Sequence, residues 1–115
     1  VSAPPHRLRA CELTVELGSR PLLMGIVNAS PDSFSDGGLH ATLDAQLALA
    51  ERLLADGADI LDVGGESAST GRPPVGEAEE IALVVPLIER LAGGLGALVS
   101  VDTYKPAVAA AAIAA

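Results

Sequence analysis

The sequence predicts an α/β fold in which three parallel strands form part of a barrel wall with their helices outside. Three observations carry this. The apolar segments Leu22 to Asn28, Asp59 to Gly64 and Ala97 to Asp102 each bring an asparagine or aspartate to or near their C-terminal end. Each is followed by a stretch of helical character, giving strand–helix three times over with helices long enough for crossovers between parallel strands. Counting by twos, Leu22, Met24, Ile26 and Asn28 share one face, as do Ile60, Asp62 and Gly64, and Leu98, Ser100 and Asp102. The opposite faces hold Leu23 and Val27, Leu61 and Val63, and Val99 and Val101, which suit packing against helices. An open doubly wound sheet has no single interior face, so a barrel with a polar C-terminal mouth accounts better for the pattern.

Taken in order, residues 1–10 read as a flexible tail, and residues 11–115 as the N-terminal part of the barrel domain. Glu12 to Leu17 alternates polar and apolar, and Gly18-Ser19-Arg20-Pro21 turns that short strand into the first core strand, Leu22 to Asn28. A loop with two aspartates, three serines and one phenylalanine follows. Leu43, Leu47, Ala50 and Leu54 then recur at helical spacing up to Gly57, with Thr42 placed to cap the helix. After the second strand and a glycine- and proline-rich loop, Gly65 to Gly76, the residues Ile81, Val84, Val85, Ile88 and Leu91 mark one face of an amphipathic helix. Glu77, Glu79 and Glu80 sit near its positive end, and Gly93, Gly94 and Gly96 stop it. Thr103 is placed to cap the last helix, with Pro106 in its first turn.

Composition narrows the function classes. Half of the 115 residues are hydrophobic, which excludes wholesale disorder. A net charge of −8 makes nucleic acid a poor partner. No apolar run reaches the roughly 18–20 residues that cross a bilayer, so no membrane partner is expected. The single cysteine, Cys11, makes neither a disulfide framework nor a metal cage, and a reducing cytoplasmic setting fits best. His6 and His40 have no partners at metal-ligand spacing, and Gly93-Gly94-Leu95-Gly96 follows a helix rather than a strand, which removes its value as a dinucleotide motif.

Asp62 and Asp102 stand out. A carboxylate at a strand's C-terminal end offers two coplanar acceptor oxygens to an aminopyrimidine or guanidine-like edge. A helix cap is the other role open to Asp102, whereas the two glycines after Asp62 suit close approach of a ligand to the backbone. Asn28 can give one neutral oxygen to a hard cation such as Mg²⁺ that keeps water and phosphate ligands, or it can open the loop through an Asx-turn. Phe34, in a polar loop, reads as a lid or stacking residue, with a loop anchor as the alternative.

Three separated stretches resemble the dihydropteroate synthase family: Met24 to Gly38, Gly57 to Ser67, and Val99 to Pro106. The resemblance covers residues 13–115. In the first stretch, Ala29-Ser30 stands where Val-Thr is common in the family. The resemblance implies a (β/α)8 TIM barrel that condenses a hydroxymethyl-dihydropterin pyrophosphate with p-aminobenzoate in folate biosynthesis, and that is a target of sulfonamides. It implies that Asn28 helps to hold Mg²⁺, that Asp62 and Asp102 line the pterin pocket, and that Asp32, Ser33 and Phe34 lie on a loop closing over the p-aminobenzoate site. Arg72 joins those three in the catalytic set, and Thr70 and Pro73 join the substrate-binding set. The second motif departs from the family: three extra residues separate Glu66-Ser67 from Arg72-Pro73, so the family threonine matches Thr70 across the gap or is replaced by Ala68. The full-length enzyme is expected to be a cytoplasmic homodimer. A methyltetrahydrofolate-dependent methyltransferase and a non-catalytic half-barrel module are the alternatives. A TIM barrel needs about 250 residues and eight strands, and this sequence stops inside an alanine-rich helix with no stop signal. The expectation is therefore a severed chain, inactive without the remaining barrel segment.

Overall fold

The computed structural model describes residues 4–30, 42–66 and 74–115. The chain runs through β1 (His6–Ala10), β2 (Leu13–Leu17), β3 (Met24–Asn28), α1 (Leu43–Ala55), β4 (Ile60–Gly64), α2 (Glu77–Ile88), β5 (Val99–Asp102) and α3 (Pro106–Ala114). Strands β3, β4 and β5 form a parallel sheet in that order. Their register aligns Val27 with Val63 and Val101, Ile26 with Asp62 and Ser100, and Asn28 with Gly64 and Asp102.

That register separates the two faces as the alternation predicts. Val27, Leu61 and Val63 are fully buried in one cluster with Ala50 of α1, Val84, Leu87 and Ile88 of α2, and Val108 and Ala112 of α3. The other face is open: Met24 is 53% and Ile26 68% exposed. The core thus lies between the sheet and helices on one face of it, which is the arrangement of a barrel wall and not of a doubly wound sheet.

Helix α1 begins where Thr42 Oγ1 accepts the Ala45 N–H at 3.2 Å, a cap worth about 1 kcal/mol. It ends at Gly57, whose φ of 111° closes the last turn and is open to glycine at little cost. Helix α2 widens after Ile88 into a π-type turn, Glu89–Gly94, in which Leu95 N–H reaches Arg90 O at 3.1 Å; Leu91 stays buried within it. Gly65, just past β4, lies so close to α2 that a Cβ there would stand 2.7 Å from Glu80 Cγ and 2.9 Å from Val84 Cγ1.

Two expectations need correction. Residues His6–Ala10 of the expected tail form β1, paired antiparallel with β2 across a two-residue turn at Cys11, which takes a φ of 53°. Four of the five β1 residues are exposed, so the strand is held by backbone pairing and has no buried face to betray it as alternation. Thr103 is not the N-cap of α3. Lys105 is, because a residue before proline is pushed to extended φ/ψ (here −97°, 118°), and Thr103 Oγ1 instead accepts the Lys105 N–H at 3.1 Å.

At the N-terminal end of the sheet Asp59 fixes the entry to β3. Arg20 grips it in a fork (Nη2–Oδ1 2.6 Å, Nη1–Oδ2 3.1 Å), and the Leu23 N–H donates to Oδ2 at 2.8 Å. The Arg20 bond first, and then the Leu23 bond, bring the Asp59 pKa from 3.8 to about 2. A folded-state pKa below the unfolded value means this stabilisation is full above about pH 4 and is lost as the pH falls through 2. The stability difference between the native protein and Arg20→Ala, measured by denaturant unfolding, should hold constant from pH 7 to 4 and shrink below that. At the other end, Gly65→Ala should destabilise by about 1–3 kcal/mol through overpacking against α2, whereas Gly76→Ala, with nothing within 4 Å of its Cβ position, should change stability far less in the same unfolding experiment.

Candidate functional site

The C-terminal ends of β3, β4 and β5 bring three of the sequence-predicted residues together. Asn28, Gly64 and Asp102 form one row across the sheet. Neighbouring strands lie about 4.8 Å apart, so Asn28 and Asp102 flank Gly64 at roughly 10 Å from each other. Gly64 has no side chain, which leaves a slot between them. One row lower, on the same face, Asp62 stands between Ile26 and Ser100 and floors the slot. Its Oδ1 accepts the Ser100 hydroxyl at 2.7 Å, which fixes the carboxylate across β4 and β5.

Asp102 is exposed, and among the described residues its carboxylate takes no hydrogen bond. Since Thr103 serves the Lys105 N–H, the capping role open to Asp102 in the sequence is not the one it plays. The Asn28 side chain is half-buried, and its Oδ1 accepts the Ser30 N–H at 3.2 Å, an Asx-turn at the start of the β3–α1 connection. The adjacent Ala29 N–H bonds Gly64 O at 2.8 Å, which holds that start against β4. Among the described residues no group of three or more His, Cys, Asp or Glu side chains could hold a metal ion. There is thus no protein cage among the described residues, and Asn28 Oδ1 would be one neutral oxygen for a hard cation that takes its other ligands from water and phosphate.

Asp32, Ser33, Phe34, Thr70, Arg72 and Pro73 lie outside the described residues, as does His40. His6 is exposed on β1, and Cys11 is exposed and free.

Sequence reasoning missed the ion network behind the slot. Glu80 of α2 is buried, with 2% of its side chain exposed. It accepts the Thr103 hydroxyl at 2.7 Å and Lys105 Nζ at 2.9 Å. Lys105 Nζ also reaches Glu66 Oε2 at 2.6 Å, and Glu66 takes the Tyr104 hydroxyl at 3.1 Å. The Lys105 bond, ahead of the Tyr104 bond, lowers the Glu66 pKa, and the Glu66 and Glu80 bonds raise that of Lys105. Glu80 sits one turn before Val84, on the apolar stripe that continues to Leu87 and Leu91. A carboxylate on a stripe of that kind is the signal that could have found the network.

Comparison with known proteins adds identity to this geometry. A family model described as "Pterin binding enzyme" matches residues 24–115. Dihydropteroate synthase of Bacillus subtilis is 51% identical over 90 residues, which is 78% of this chain and 32% of that protein. A Yersinia pestis dihydropteroate synthase structure with a sulfonamide drug complex superposes with a TM-score of 0.84 at 48% identity, covering 93% of this chain and 38% of that one. A Xanthomonas albilineans dihydropteroate synthase structure with 4-aminobenzoic acid gives 0.83 at 49% identity, covering 94% and 40%. The chain thus spans about a third of the length of the curated relative. With its slot of Asn28, Asp62 and Asp102 at the mouth of three parallel strands, and a family match over residues 24–115, this chain belongs to the pterin-binding enzymes.

Proposed function

We propose that the complete protein containing this chain is a dihydropteroate synthase, condensing a hydroxymethyl-dihydropterin pyrophosphate with p-aminobenzoate and releasing pyrophosphate. The observation that carries the reading is the Asn28–Gly64–Asp102 row above Asp62, in a chain 51% identical to a named synthase. A flat, donor-rich pterin edge suits carboxylates fixed in place at a glycine-opened slot, and two charge-assisted bonds to Asp102 are stronger than neutral ones.

In the reaction the pterin methylene–oxygen bond breaks and its electron pair leaves with pyrophosphate. The aniline nitrogen of p-aminobenzoate then bonds to the methylene carbon and gives up a proton. Asp62 and Asp102 favour the positive charge that develops on the pterin. Asn28 would help to hold Mg²⁺, which when bound would neutralise charge on the leaving anion. Asp32, Ser33 and Phe34 close over p-aminobenzoate, a role that the family match of Met24 to Gly38 supports; Arg72 acts beside them and Thr70 and Pro73 contact substrate if the three residues inserted after Ser67 leave them in the family's places. The requirement for further barrel strands is supported by β3 and β5, which stand at the edges of the sheet among the described residues. A homodimer, Mg²⁺ dependence and cytoplasmic location complete the reading on the strength of the resemblance.

The test is formation of dihydropteroate by the purified complete protein from the two substrates. Pterin binding without turnover would leave a non-catalytic homologue. Asp102→Ala should weaken pterin binding by more than about 100-fold, in line with two hydrogen bonds to a charged group at roughly 1.5–3 kcal/mol each, with the melting temperature unchanged because the side chain is exposed; calorimetry and thermal unfolding check both. Phe34→Leu should weaken p-aminobenzoate or sulfonamide binding by about 3–10-fold, the scale of one aromatic contact, and a large fall in melting temperature with normal sulfonamide response would mark Phe34 as packing instead.

A further inference from the structure

We infer that Lys105 is a positioning residue for Asp102, acting through the ion network it holds between Glu66 and Glu80; the inference rests on the pterin-site reading of Asp102. Asp102 ends β5, and among the described residues nothing bonds its carboxylate, so the position of its backbone decides what that carboxylate can reach. The three residues that follow are all anchored by their side chains. Thr103 donates to Glu80, Tyr104 donates to Glu66, and Lys105 bonds both carboxylates. Glu80 belongs to α2 and Glu66 to the exit of β4. The turn after Asp102 is thereby fastened to the two elements that flank the slot on its helix side.

Lys105 is the member on which the others depend. Its side chain is only 14% exposed, and its ammonium stands 4.7 Å from the centre of the Tyr104 ring. Without it, two carboxylates would face each other across the same small space, one of them buried, and neither could stay ionised without cost. Gly65 allows the arrangement: a Cβ there would collide with the Glu80 side chain. With both carboxylates engaged, the Lys105 ammonium serves the fold around the slot and not a ligand within it.

The experiment uses the complete protein in native form and as Lys105→Met/Glu80→Gln, Lys105→Arg and Glu66→Gln. The double variant removes the cation together with its buried partner, so no isolated charge is left inside. The probe is 6-hydroxymethylpterin, titrated by calorimetry, alongside KM for the pterin and p-aminobenzoate substrates and thermal unfolding. The double variant should bind the probe about 10-fold more weakly and raise the pterin KM by a similar factor, with the p-aminobenzoate KM within twofold of native. Lys105→Arg, which keeps a cation able to fork between two carboxylates, should recover most of the affinity, and Glu66→Gln should fall between. Native-like probe affinity in the double variant overturns the inference. So does an equal loss for both substrates that follows the melting temperature and is not recovered by Lys105→Arg. If the native protein binds the probe but makes no dihydropteroate, the synthase reading fails while the comparison of affinities still judges Lys105; a native protein with no affinity for the probe overturns both.

Discussion

Parallel pairing of β3, β4 and β5 in one register ranks Val27, Val63 and Val101 in a row toward the helices and Asn28, Gly64 and Asp102 in the next row away from them. Burial of a Val or Leu side chain contributes about 1.5–3 kcal/mol, and the fully buried Val27, Leu61 and Val63 all lie on the helix side. A slip of one residue in any strand would turn those side chains outward and carry an aspartate or asparagine into the core. The packing of the apolar row therefore sets the place of the polar one. The slot is located by side chains that never enter it.

Charge at the mouth is arranged around the same framework. Asp62, Asp102, Glu66 and Glu80 gather acids near the slot, and Lys105 is the cation placed between two of them. The bonds from Lys105 keep Glu66 ionised to lower pH, and the carboxylates keep Lys105 protonated to higher pH. Both directions favour the charged forms of Glu66 and Lys105, so the bond between them is kept through neutral pH. Asp62 and Asp102 stand in front of it, outside the bonds of Lys105, which go to Glu66 and Glu80.

The alternation of apolar and polar residues made β3, β4 and β5 legible, along with the assignment of Asn28, Asp62 and Asp102 to one face. Thr42 was legible as a cap because its helix begins without a competing constraint. Thr103 was misread because Pro106 holds Lys105 extended and moves the helix start past it. Strand β1 was illegible because none of its residues is buried and pairing with β2 alone defines it. Glu80 looked like an acid placed for the helix dipole, and only the fold shows the lysine 25 residues on that makes its burial tolerable.

The Asx-turn at Asn28 has a thermodynamic consequence. Its amide oxygen accepts the Ser30 N–H, and that turn begins the connection leaving β3. Anything in the slot that draws on the same oxygen competes with or strengthens that bond, so occupancy of the slot and the geometry at the start of the connection share a coupling free energy. Linkage makes the coupling reciprocal. A substitution in the connection that favours or opposes the turn would alter affinity at Asn28 without touching the ligand, and a ligand at Asn28 would alter the connection by the same factor.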